Sequence, residues 1–142
     1  MKNLNHLFVP YVIALKLKDL GFKEYCFGIY DDKGYLYTQG AIYLYTQGAI
    51  YSYLEDETNI IAPLHQQVID WIREKHSIRI VEDIAKNSWS SNGHDTDFKF
   101  NVIKVDGYST KDMLYACGLE GLYYPSYYEA MQKAIEFALT KI

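Results

Sequence analysis

Apolar side chains recur along this chain at two periods, and the switches between them mark out the elements. From Pro10 to Leu20 the spacing is helical, with Ile13, Leu17 and Leu20 on one stripe and Ala14 beside it. Pro10 suits a first helical turn, and Gly21 suits the left-handed position after a helix end. Tyr25 to Tyr30 and Tyr35 to Tyr37 are strand-like runs on either side of Asp31-Asp32-Lys33-Gly34, which predicts a β-hairpin. Helical spacing returns at Leu64, Val68, Trp71 and Ile72, behind Pro63 in a first turn and ahead of the solvated end Arg73-Glu74-Lys75. Ser77 to Val81 alternates as a strand, and so does Phe98 to Val105, with Phe98, Phe100 and Val102 on one side. Residues 86–97 are polar and read as a loop or hairpin tip. Asp106-Gly107 signals a turn, and Ser109 to Gly118 has room for one or two helical turns. A last helix follows the capping-box spacing of Ser126 and Glu129, with Ala130, Met131, Ala134, Ile135, Ala138 and Ile142 on one face.

This order predicts an α+β fold over a single domain, 1–142. About three helices pack on one face of a mainly antiparallel sheet, and tyrosines populate the other face. One segment breaks the pattern. Residues 35–42 read YLYTQGAI, and residues 43–50 repeat them without a change. A duplication in the coding sequence, natural or introduced, explains such a tandem copy. Eight is an even number, so in a continuous strand each residue of the second copy keeps the face of its counterpart. Two geometries fit: a meander of very short strands turning at each Thr-Gln-Gly-Ala, or one lengthened hairpin with glycines at bulges. Identical segments can exchange places, so a homodimer through residues 35–53 is one expected outcome.

Composition changes this picture little. The chain has 142 residues, 49% hydrophobic and 23% charged, enough for a folded core without staples. The net charge of −4 argues against general nucleic-acid binding, since phosphate contacts need basic residues. The apolar run Leu7 to Leu15 is broken by Pro10 and lacks a cleavage pattern, and no stretch is long enough to span a bilayer. No membrane association is expected, and the expected compartment is the cytoplasm. Cys26 and Cys117 are expected as buried free thiols, with a disulfide as the alternative.

Candidate chemistry is sparse. His65 and His76 fall on one helix but roughly 16 Å apart by helical rise, too far to share a metal. His94 with Asp95 and Asp97 is a weak ligand or acid–base cluster in a polar loop. No phosphate loop, nucleophile elbow, zinc-protease helix or paired C-x-x-C is present. No catalytic residue, metal site or cofactor is therefore assigned. Glu55, Asp56 and Glu57 read as a solvated loop. The 15 tyrosines are the unusual feature. Tyr35, Tyr37, Tyr43, Tyr45, Tyr51 and Tyr53 share one parity, so an unbroken strand shows them on one face as an aromatic binding platform. Tyr123, Tyr124, Tyr127 and Tyr128 are expected to wedge the last helix onto the sheet.

Three blocks, ALKLKDLGFKEYCFGIYDDKG (14–34), APLHQQVIDWIREKHSI (62–78) and YYEAMQKAIEFALTKI (127–142), resemble a family of small uncharacterised proteins of gut-bacterial phages and mobile elements. The resemblance covers somewhat over a third of the chain and carries no catalytic residues with it. It implies a phage or prophage origin and a bacterial cytoplasm. The duplicated octapeptide makes that region longer than is usual in the family. The leading expectation is a non-enzymatic accessory protein that binds a host protein or a small ligand. The alternatives are a small hydrolase using His94 with Asp95 or Asp97, and a virion or structural component.

Overall fold

A computed structural model describes residues 4–38, 59–82, 98, 100–104, 124 and 126–142. The fold is α+β, and the chain divides into two compact units, Met1–Gln67 and Val68–Ile142. Among the described residues the strands form two antiparallel sheets, one of three strands and one of two. Residues 1–3, 39–58, 83–97, 99, 105–123 and 125 lie outside the described set. The second octapeptide, the 86–97 loop and the 109–118 segment fall there.

The first unit opens with a 3-10 turn, Asn5–Leu7, and then α1, Tyr11–Asp19. Pro10 is the N-cap residue, extended at ψ 157°, and not part of the first turn. Ile13, Ala14 and Leu17 form the buried stripe, whereas Leu20 is exposed. The helix has already stopped there. Gly21 takes φ 83°, its N–H donates to Lys18 O, and the Phe22 N–H donates to Leu17 O. That pair of bonds is a Schellman closure, sealed by the buried side chains of Leu17 and Phe22.

The hairpin joins β1, Gly28–Tyr30, to β2, Leu36–Tyr37, in antiparallel register Ile29↔Tyr37 and Tyr30↔Leu36. Gly34 has φ 81° beneath the Tyr11 ring, as its place in the turn requires. β3, Ile60–Ala62, pairs with the other edge of β1, giving the order β2-β1-β3. α1 packs against β3. Gly28, Tyr30, Ile60 and Ala62 are buried, and Tyr30 meets Tyr11 of α1 edge to face at 5.4 Å between ring centroids. A Cβ on Gly28 would lie 2.9 Å from Phe8 Cε1 and 3.0 Å from both Ala62 Cβ and Leu36 Cδ1. The missing side chain is thus the notch that Phe8 occupies.

α2, His65–His76, begins in the first unit and continues into the second. Pro63 lies ahead of the helix and not in its first turn, because its carbonyl accepts from the Val9 N–H in extended pairing. Val68, Ile69, Trp71 and Ile72 are buried, and the expected Leu64 is half-buried in a bridge with Phe8. In the second unit, Ser77 alone links α2 to β4, Ile78–Glu82, and it does so at φ 56°. β4 pairs with β5, Phe100–Lys104. Ile78, Ile80, Phe100 and Val102 alternate onto the buried face. α3, Tyr127–Leu139, packs against both strands through Ala130, Met131, Ala134, Ile135, Ala138 and Leu139. Three alanines on that face let the helix backbone approach the strands closely. Ser126 caps it by accepting from the Glu129 N–H at 3.4 Å. Ile142, expected on the same face, is exposed because the helix ends at Leu139. Tyr127 stands edge-on to Phe98 and Phe100 and acts as the expected wedge.

Two backbone substitutions should move stability in opposite directions. Gly21→Ala should destabilise by about 1 kcal/mol, because an L side chain is strained at positive φ although nothing crowds the site. Ser77→Gly should stabilise by roughly 0.5 kcal/mol, the relief at positive φ outweighing glycine's larger entropy in the unfolded chain. Thermal unfolding of both variants checks the signs, and equal shifts would contradict the reading.

Candidate functional site

The alternation that buries one side of the three-stranded sheet sends other residues to its opposite side. Ile29 is the Cα partner of both Tyr37 and Ile61, so Tyr37, Ile29 and Ile61 form a row across β2, β1 and β3. Phe27 continues the same parity just before β1. Phe27 is 52% exposed, Tyr37 56% and Tyr35, two residues before Tyr37, 65%. Ile29 and Ile61 are half-buried. The result is a solvent-facing surface of branched and aromatic groups on a sheet that is shielded on the α1 side.

The turn beside this surface is organised by one carboxylate. Asp31 Oδ1 accepts from the Lys33 and Tyr35 N–H groups, both at 2.9 Å, and Oδ2 accepts from the Tyr37 hydroxyl at 3.3 Å. The Tyr35 backbone bond leads in holding the Asp31 carboxyl below its ordinary value, with the Lys33 and Tyr37 bonds adding to it. The Asp31 charge in turn pushes the Tyr37 phenol up. Asp31 therefore fixes the hairpin and the position of one exposed ring together.

A few polar side chains hold the loops of this unit from within or beside its apolar core. His65 is 4% exposed, and its Nδ1 lies 2.8 Å from Leu7 O. A carbonyl only accepts, so Nδ1 carries the proton. The Tyr30 hydroxyl donates to Val9 O at 2.6 Å. Gln67 Oε1 accepts from the Leu64 N–H, half of a capping box, and its Nε2 donates to Tyr25 O at 2.7 Å. Cys26 is a buried free thiol whose Sγ–H points to Glu24 O at 3.3 Å. Burial, with the Glu24 charge, pushes that thiol far up, away from the thiolate form a nucleophile needs.

Of the six tyrosines expected to form a platform, Tyr35 and Tyr37 are placed on the surface, and Tyr43, Tyr45, Tyr51 and Tyr53 lie outside the described residues. His94, Asp95, Asp97, Glu55, Asp56, Glu57 and Cys117 also lie outside them. His65 and His76 stand at opposite ends of α2. Among the described residues no group of three His, Cys, Asp or Glu side chains could hold a metal ion, and no helix is long and apolar enough to cross a membrane. Phe27, Ile29 and Ile61 were missed as surface residues, although the period of two running through Phe27 and Ile29 carried the signal. Comparison with protein families, curated proteins and solved structures finds no match to this chain.

Asp31 and Cys26 each give a test. The folded hairpin holds fewer protons at Asp31 than the unfolded chain does. Its contribution is complete above the ordinary value of 3.8 and is lost as pH falls through the lower folded value. Asp31→Ala should therefore lower the melting temperature at neutral pH, and the gap from the parent should narrow below 3.8. A gap that stays constant with pH would refute the charge-assisted turn. In a Cys117→Ser background, Cys26 should react with a thiol reagent only after denaturation, and rapid labelling of the native protein would contradict its burial.

Proposed function

We propose that this protein is a non-enzymatic binding protein that engages a protein partner through the outward face of the β2-β1-β3 sheet. The observation that carries this reading is the row Tyr37–Ile29–Ile61 with Phe27 beside it, large apolar groups on the solvent side of a braced sheet. Exposed aromatic residues supply much contact area at little entropic cost and are enriched at interface centres. The face is built on strands, and small molecules are held more often in concave pockets. Together with the resemblance to phage and mobile-element proteins, it favours an accessory protein acting on a host protein in a bacterial cytoplasm.

The test is site-specific photocrosslinking in the bacterial host, with a benzophenone residue at position 27 or 37 and at Glu74, exposed on α2, as the control. A common adduct is expected from the two sheet positions and none from the control. Phe27→Ser should weaken binding of the purified adduct partner by about tenfold, as for a central interface aromatic. Adducts of equal yield from all three positions, or unchanged affinity, would reject this face as the contact surface.

A further inference from the structure

We draw no further inference here: the strongest candidate, the second octapeptide at 43–50 standing in for β2 on the edge of β1, rests on a segment that lies outside the described residues.

Discussion

Leu7 ends the 3-10 turn and Val9 lies in the extended segment after it, and their carbonyls need partners that a short strand pairing does not supply. Two buried side chains from distant parts of the first unit meet that need, His65 at the start of α2 and Tyr30 at the end of β1. A buried carbonyl left without a donor costs about 1–3 kcal/mol, comparable with burying a whole aliphatic side chain. The two bonds therefore decide where this segment sits, and much follows from it. Pro10 caps α1 directly after Val9, and Phe8 lies over Gly28. A histidine and a tyrosine in an otherwise apolar core thus tie the chain start, the central strand and the next helix together.

In the second unit the described residues pack chiefly through apolar side chains. Its β4–β5 ladder alternates apolar residues onto one side, and α3 meets them with alanines, Met131 and Ile135. Tyr127 closes the end by standing on Phe98 and Phe100. The ion pairs along the helices, Arg73 with Asp70 and Lys133 with Glu136, are largely exposed. Pairs of that kind contribute little, so shape fit is the stronger term here.

Much of this was legible from spacing. Ile13, Val68, Ile72, Ala134 and Ile135 sit where helical periodicity put them, and Gly21, Gly34 and Ser126 perform the turn and cap roles their chemistry suggested. The misses share a cause. Leu20 and Ile142 continue their stripes on paper, but each falls beyond the last helical residue, where periodicity no longer fixes direction. Pro63 has the chemistry of a first helical turn, but extended pairing with Val9 claims its carbonyl. That partner lies far away in sequence, and no local pattern encodes it. The site was half legible for the same reason. The parity of Tyr35 and Tyr37 could be counted, but the row through Ile29 and Ile61 depends on which strands become neighbours.

The notch at Gly28 has a consequence for how this chain can diverge. Phe8, Leu36 and Ala62 close around a space with no room for a methyl group, so the four positions share one fixed volume. Drift at any of them is constrained by the other three. A bulkier residue at 28 becomes tolerable only after Phe8 has shrunk and Leu36 and Ala62 have given way, and the reverse order passes through a clashing intermediate. In descendants of this sequence, a side chain at 28 should accordingly be inherited together with changes around it, a smaller residue at 8 arriving first.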